Sequence, residues 1–503
     1  MIQKVLVANR GEIAVRIIRS CREMGIKSVA VYSDADRSAM HVRYADEAYR
    51  LGPAPSTQSY LNIETILSIA KRSGAHAIHP GYGFLSENAD FANRIRKAGL
   101  IFIGPSAEAI TAMGDKMQAR ALMQKAGVPI VPGTSALPED ENEIKKMANQ
   151  IGYPVMIKAS AGGGGKGMRL ANNEKELISG VRRAKSEAQT AFGNDAVYLE
   201  KYLLEPHHIE YQIMADNFGH VVHLYERECS VQRRHQKVVE ETPSPFLIPQ
   251  LREQMAQQAI AAAKSVNYSG AGTIEFLVDR DRNFYFLEMN TRLQVEHPIT
   301  ERVTGFDLVK AQIQVARNEP LAFGQKDVKQ IGHAIECRIY AEDPTQNFVP
   351  SPGLVKHISE PLGLGVRTDG YVYEGYEIPM YYDPLISKLI VWAPTRKEAI
   401  QRMKRALYEY KITGVKTNIA FVQKIMEAND FVEGNYNTHF IANNLDFLMQ
   451  PDSNCESCED IAMIMAFLDY QNKQNKRHDF ARQKRTSQSN WKNVGRLFRH
   501  NPY

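Results

Sequence analysis

Two acidic residues and an amide set the first chemical question in this sequence. Glu275 lies in Gly272-Thr-Ile-Glu-Phe-Leu-Val-Asp279, and Glu288 and Asn290 lie in Phe284-Tyr-Phe-Leu-Glu-Met-Asn290. Both stretches alternate and are rich in β-branched or aromatic residues, the pattern of strands. The link Arg280-Asp-Arg-Asn283 is short and polar, as a hairpin loop should be. Closure around Asp281 and Arg282 predicts Glu275 directly opposite Glu288, roughly 5 Å away, with Asn290 on the same face. Two such carboxylates repel each other unless a cation lies between them. Few, hard oxygen ligands suit Mg2+ or Mn2+ bound together with phosphate oxygens.

Three further stretches carry candidate chemistry. Gly162 to Gly165, Lys166 and Gly167 follow a strand ending at Lys158. Glycines let backbone N–H groups approach an anion, and the lysines add charge. The spacing is not that of a Walker A loop, so a lid-like phosphate loop is expected. Asn290-Thr-Arg-Leu-Gln-Val-Glu-His297 continues from the acidic strand. An extended conformation would put Arg292, Gln294 and Glu296 on one face and Leu293, Val295 and His297 on the other. A cation beside a carboxylate can hold a small oxyanion and take its proton. Cys229-Ser-Val-Gln-Arg-Arg-His-Gln-Lys237 is either a solvated basic edge or an anion wrap; composition leaves both open. Arg338 sits in a strand with Glu336 and Tyr340 on its face, which marks it only as outside the core. Cys455 and Cys458 have zinc-like spacing without a second pair.

The elements that must position these residues alternate. Lys4–Ala8, Ser28–Tyr32, Ala75–His79 and Leu100–Ile103 read as strands of a doubly wound parallel sheet, with a helix from Ile13. The loop His79-Pro-Gly-Tyr-Gly-Phe-Leu-Ser-Glu-Asn88 then falls at the carboxyl edge, where such sheets bind ligands. Asn9-Arg-Gly-Glu12 has one glycine where a dinucleotide fingerprint wants three, which argues against NAD. Asp115–Ala126 reads as helix, and Tyr153–Lys158 and Val197–Glu200 as strands. Later come strands Ala334–Ile339 and Ile386–Trp392 and a helix Thr395–Tyr410.

The 503 residues allow two to four domains. No apolar run is long enough for a membrane span, and because the chain enters a strand at once no leader peptide is expected. Five scattered cysteines point to a reducing, cytoplasmic setting. The net charge of +5 is local: from Lys473 to Tyr503 nine Lys/Arg face one Asp, so the rest is near −3. That argues against a nucleic-acid-binding body. Ser457-Cys-Glu-Asp460 reads as a capping box, followed by an apolar stripe of Ile461, Ile464, Met465 and Leu468. A poorly ordered basic end is expected beyond it.

Five stretches together resemble the hallmark stretches of biotin carboxylase. They are Lys4-Val-Leu-Val-Ala-Asn-Arg-Gly-Glu-Ile-Ala14, His79 to Asn88, Lys158-Ala-Ser-Ala-Gly-Gly-Gly-Gly-Lys-Gly-Met168, Glu226-Arg-Glu-Cys-Ser-Val-Gln-Arg-Arg-His-Gln-Lys237, and Phe286-Leu-Glu-Met-Asn-Thr-Arg-Leu-Gln-Val-Glu-His297. The resemblance runs from Met1 to about Asn444. It implies a doubly wound α/β domain over 1–113, an ATP-grasp domain over 114–330 with a mobile lid at about 132–203, a mixed α+β domain over 331–445, and a tail over 446–503 with a short helix and basic end. It implies that Lys116, Lys158 and His208 contact ATP phosphates, with Gly164, Gly165 and Lys166 lying over them. Glu200, Lys201 and Leu203 would hold adenine, and His235 would lie near the ribose. Glu275 and Glu288 would hold Mg2+ or Mn2+, with Asn290 close by. Lys237, Arg292, Gln294 and Val295 would surround bicarbonate, Glu296 would be its base, and Arg338 would stabilise the biotin enolate.

The implied activity is ATP- and bicarbonate-dependent carboxylation of biotin through carboxyphosphate. The chain lacks a Met-Lys-Met attachment motif, and the 53 residues after Gln450 cannot hold a carboxyltransferase. A biotin carboxyl carrier protein and carboxyltransferase subunits are therefore expected as partners, with a homodimer and no nucleic acid or membrane. Glu377-Ile-Pro-Met-Tyr-Tyr-Asp-Pro384 leans towards the acyl-CoA (acetyl- or propionyl-CoA) carboxylase branch. The biotin carboxylase chain of a two-chain pyruvate carboxylase, and another ATP-grasp carboxylate ligase, remain as alternatives.

Overall fold

The computed structural model describes residues 2–159, 168–450, 461–471 and 473–474. Gly164, Gly165 and Lys166, the Ser457–Asp460 box, Cys455, Cys458 and the expected basic end beyond Gln474 lie outside the described residues. The chain divides into two compact units, Met1–Leu448 and Met449–Tyr503.

The first unit begins with a five-stranded parallel sheet. Its strands are β1 (Lys4–Val7), β2 (Lys27–Ser33), β3 (Glu47–Gly52), β4 (Ala77–His79) and β5 (Ile101–Phe102), in the order β3-β2-β1-β4-β5. Strand β3 is absent from the sequence reading. It is an edge strand, half exposed along Glu47-Ala-Tyr-Arg50, and lacks the apolar run of a central strand. The first helix, Gly11–Glu23, starts two residues before Ile13. The loop after β4 is tied to the loop after β1: Asn9 Nδ2 donates to the carbonyls of Pro80 and Tyr82, each at 2.7 Å. Gly81 sits there at φ +66, where a Cβ would meet the Asn9 side chain at 2.9 Å.

A three-stranded sheet follows. It comprises β6 (Val155–Ala159), β7 (Arg169–Ala171) and β8 (Val197–Lys201), covered by helices Glu141–Ile151 and Glu174–Phe192. Ile144, Val155, Ile157, Leu177 and Leu199 give this segment its own core.

The largest sheet has eight strands: β9 (His207–Ala215), β10 (Val221–Arg233), β11 (Gln236–Thr242), β12 (Gly270–Val278), β13 (Phe284–Asn290), β14 (His333–Tyr340), β15 (Val366–Gly370) and β16 (Leu385–Ala393). Their order is β13-β12-β9-β10-β11-β14-β16-β15. One sheet thus crosses the position near 330 where a third segment was expected to begin. Alternation sorts its faces. Ile209, Tyr211, Ile213, Ile274, Phe276 and Val278 pack with Leu251, Met255 and Ala259 of helix Pro249–Ser265. Burying each of the larger ones contributes about 1.5–3 kcal/mol. The intervening residues His208, Glu210, Gln212, Thr273 and Glu275 are left for the other face.

Within the second unit, a helix spans 461–471. Its apolar surface exceeds the expected stripe: Met463, Phe467 and Tyr470 are exposed along with Ile461, Ile464, Met465 and Leu468. No helix among the described residues is long and apolar enough to cross a membrane.

Candidate active site

Glu275 and Glu288 are cross-strand partners in β12 and β13. The route to that pairing differs from the one expected. Near the loop the register is Phe276↔Phe286 and Val278↔Phe284, which centres the turn on Asp281 alone. Asp279 clamps this turn by accepting from the backbone N–H groups of Asp281 and Asn283. A register shift then leaves Leu287 as an extra residue, and the bulge brings Glu288 opposite Glu275. On the other side Glu275 faces Glu210 of β9, and Glu210 faces Arg227 of β10. Three glutamates and an arginine therefore form one row across four strands.

Lys237 closes this row. Its Nζ lies 2.5 Å from Glu210, 3.0 Å from Glu275 and 2.7 Å from Glu296. It comes from β11, where a shift between Val231↔Val239 and Gln232↔Lys237 makes Val238 the extra residue. Glu275 also accepts from Asn290 Nδ2 at 2.8 Å and Gln294 Nε2 at 3.2 Å, and its other oxygen lies 2.7 Å from His208 Nε2. Burial pushes the Glu275 carboxyl up, but Lys237 and His208 outweigh burial and hold it well below the carboxylate range. Glu288, whose side chain opens onto the cleft, moves the other way: desolvation by the cleft walls and the charge on Glu275 raise it, against the pull of Lys116.

The segment after Asn290 is not extended. It turns through irregular backbone into helix His297–Thr304, with Glu296 as the residue before the helix at φ −81 and ψ 10. Arg292 and Glu296 consequently do not pair. The carboxylate on Arg292 is Glu87, at 2.9 Å, and Arg292 also donates to Asn290 Oδ1 and Gln294 Oε1. The cations on Glu296 are Lys237 and Arg338, the latter at 2.9 Å. Glu296 is fully buried. Burial opposes its ionisation, yet Lys237, Arg338 and Arg227 keep it well below the usual range. The arrangement is a buried carboxylate that is ionised, with two cations that could turn to an incoming anion.

A cleft of about 1340 Å³ unites the remaining expected residues. Lys116, Lys158, Glu200, Lys201, Leu203, His208 and His235 line it, together with Lys237, Glu275, Glu288, Asn290, Arg292, Gln294, Val295 and Arg338. Glu296 stands behind this lining, reached through Lys237 and Arg338. Lys116 opens helix Lys116–Lys125, whose Asp115 cap accepts two backbone N–H groups. Lys158 pairs with Glu200, which Arg120 also holds at 2.5 Å. Lys201 Nζ instead donates to the carbonyls of Gly152 and Tyr153. His235 and Arg234 form the β10–β11 turn, both at positive φ. The basic stretch is broken up by this turn: Arg233 pairs with Glu342 at 2.8 Å and lies over the Phe348 ring, and Arg234 donates to Asn347.

Several residues of the site escape sequence reading. Glu210 had a signal, since His208, Glu210 and Gln212 alternate with Ile209, Tyr211 and Ile213. Glu87, Arg227, Glu240 and Lys388 had none, because each arrives from a separate element. Lys388 is wholly buried and holds the Val295 carbonyl at 2.8 Å and Glu12 at 3.1 Å.

Comparison with known proteins gives a consistent setting. The chain matches the family profiles described as biotin carboxylase, N-terminal domain, over 1–110, carbamoyl-phosphate synthase L chain, ATP binding domain, over 115–323, and biotin carboxylase C-terminal domain over 336–443. It is 57% identical over 442 residues to biotin carboxylase 1 of Bacillus subtilis, covering 88% of this chain and 98% of that protein. It is 58% identical over 442 residues to a pyruvate carboxylase subunit of Methanothermobacter thermautotrophicus, covering 88% and 90%. Among solved structures it resembles the biotin carboxylase domain dimer of Hydrogenobacter thermophilus 2-oxoglutarate carboxylase, a complex with MgADP, ADP and bicarbonate. The TM-score is 0.85 at 48% identity, over 90% of this chain and all of that one.

Proposed function

The chain belongs to the biotin carboxylase family, and from that premise we propose that it carboxylates biotin on a separate carrier protein, using ATP and bicarbonate, within an acyl-CoA carboxylase. The observation that carries the reading is that Lys237 joins Glu296 to Glu275, beside the opposed Glu288. It supports a base, an anion-holding cation and metal-type carboxylates within one site.

The residues fit a divalent cation: burial and the charge on Glu275 raise the Glu288 carboxyl, and the repulsion between the two carboxylates is what such an ion relieves. Glu275 and Glu288, with Asn290 near, would hold it. A bound Mg2+ or Mn2+ would offset the charge on the transferring phosphoryl group. Lys116, Lys158 and His208, with Gly164, Gly165 and Lys166, are proposed at the phosphates. Glu200, Lys201 and Leu203 are proposed at the adenine, and His235 near the ribose. For Lys158 to reach a phosphate it must leave Glu200.

Arg292, Lys237, Gln294 and the backbone of Val295 are proposed to orient bicarbonate. Glu296 then takes its proton, and a bicarbonate oxygen attacks the γ-phosphorus to give carboxyphosphate and ADP. A carboxylate so depressed is a weak base. Glu296 gains basicity as Lys237 and Arg338 turn from it to the substrates. Carboxyphosphate breaks down to CO2 and phosphate. Phosphate takes the biotin N1′ proton, Arg338 faces the enolate, and the enolate attacks CO2.

The segments 1–113, 114–330, 331–445 and 446–503 are proposed as its domains and tail, with 132–203 as a closing lid; the separate core of that segment supports this. The proposed partners are a biotin carboxyl carrier protein, carboxyltransferase subunits and a second copy of this chain. A cytoplasmic setting is supported by the buried, unbridged thiols Cys21, Cys229 and Cys337. The biotin carboxylase chain of a two-chain pyruvate carboxylase is the second reading, favoured by the 58% identity to that archaeal relative. Steady-state assay of the purified chain tests the activity: ADP formation should require bicarbonate and rise with free biotin. Turnover without bicarbonate overturns the proposal.

A further inference from the structure

Two acids behind Arg338 take no part in the steps above. Glu240 of β11 and Glu336 of β14 are direct cross-strand partners, and both are wholly buried. Such neighbours sit about 5 Å apart. Glu240 Oε1 accepts from Arg338 Nε at 2.6 Å. Its Oε2 and both oxygens of Glu336 have no hydrogen-bond partner among the described residues. The charges facing this pair are few. Arg338 comes from β14, Lys388 (itself paired with Glu12) from β16 opposite Arg338, Lys237 from β11, and Glu296 from the start of helix His297–Thr304.

A buried carboxylate whose oxygens lack donors is costly, and two such groups side by side cannot both stay ionised cheaply. One proton between them removes a charge and supplies the missing donor. We propose that Glu240 and Glu336 hold a single proton between them and act as a positioning pair that keeps Arg338 available to an incoming anion. The inference rests on the reading of Arg338 as the cation facing biotin. With the proton in place, Glu240 fixes the Nε edge of the guanidinium, and its Nη2 edge can be traded from Glu296 to the enolate oxygen. When the proton leaves to solvent, a second full negative charge competes for Arg338, and the biotin half-reaction slows. Burial pushes both carboxyls up, Glu240 to about 7 against the pull of Arg338, and Glu336 well above the usual carboxylate range against that of Lys388. The loss therefore falls on the alkaline side.

Two measurements on the full chain test this. Infrared difference spectra across a neutral-to-alkaline titration should show a protonated-carboxyl carbonyl band in the wild type that fades as pH rises and is missing in Glu336→Gln. The pH profile of biotin-stimulated ADP formation should keep an alkaline limb in the wild type, which in Glu336→Gln moves up by about one pH unit or more, because the amide has no proton to lose. No such band in the wild type, or profiles that superimpose, overturns the pair. The infrared arm needs no substrate, and a band that persists unchanged in Glu336→Gln also overturns the pair. A band with no biotin stimulation in the wild type would instead sink the functional reading, and the positioning role with it.

Discussion

Arg292 takes its orientation from Glu87, whose Oε2 accepts from Arg292 Nε at 2.9 Å. The same Glu87 carboxylate accepts from the backbone N–H of Thr291, through its other oxygen. A residue of the β4 loop thus fixes both the backbone and the side chain of the segment proposed to hold bicarbonate. Glu87→Gln keeps the shape and loses the charge. The KM for bicarbonate should rise about tenfold, some 1.4 kcal/mol, with the KM for ATP little changed. Equal changes in both would show that Glu87 serves the fold instead.

The two opposed glutamates should fail differently. Glu288 opens onto the cleft, whereas Glu275 is buried against Lys237 and His208. Glu288→Gln should cut ADP formation about 10²-fold and leave the melting temperature in place. MgADP should stabilise the wild type and leave the melting temperature of Glu288→Gln unmoved. Glu275→Gln should lose turnover and about 3 kcal/mol of stability, because a buried charge network is broken. Thermal melts with and without MgADP, beside steady-state rates, check both.

Glu241 predicts a pH dependence of stability. Arg396 grips it at 2.8 and 2.9 Å, and His333 contacts it too. Burial opposes ionisation, but His333 and Arg396 bring the carboxyl from 4.5 down to about 2. A carboxyl lowered by folding contributes stability that is complete above about pH 4.5 and lost as pH falls towards 2. The contribution is about 3 kcal/mol. Arg396→Met, with His333 still in place, should remove a share of that at neutral pH, about 1.5 kcal/mol or more, and flatten the acid limb. Urea midpoints across the acid range measure it; parallel curves for the two proteins would count against it.

Removal of the residues after Gln450 should leave carboxylation of free biotin within about twofold of the full chain, as expected of a separate compact unit. The expected defect lies in assembly with the carrier and carboxyltransferase chains, read by co-purification. Loss of free-biotin activity in a folded truncation would place the tail in the catalytic part.

The hairpin of Glu275 and Glu288 is legible because alternation separates Ile274, Phe276 and Val278 from the acidic face. Its register is legible only in outcome: Leu287 as an extra residue compensates for a pairing near the turn that is one residue out of the expected register. Bulges leave no mark in a period-two pattern. The one at Val238 likewise lets Lys237 and Glu240 serve one face although they are three apart. The partner of Arg292 is hidden for another reason. Glu87 is 205 positions away, and only the folded loop of β4 brings it near. Strand β3 is hidden because an edge needs no apolar run.

Attack by bicarbonate on ATP, with Glu296 taking the proton, is the centre of the account. Bicarbonate labelled with heavy oxygen tests it most directly, by mass analysis of the phosphate released during biotin-stimulated turnover. The prediction is one labelled oxygen in each phosphate, and a rate at least about 10²-fold lower in Glu296→Gln. Phosphate that draws its new oxygen from water, or unchanged label transfer at the wild-type rate in Glu296→Gln, would contradict it.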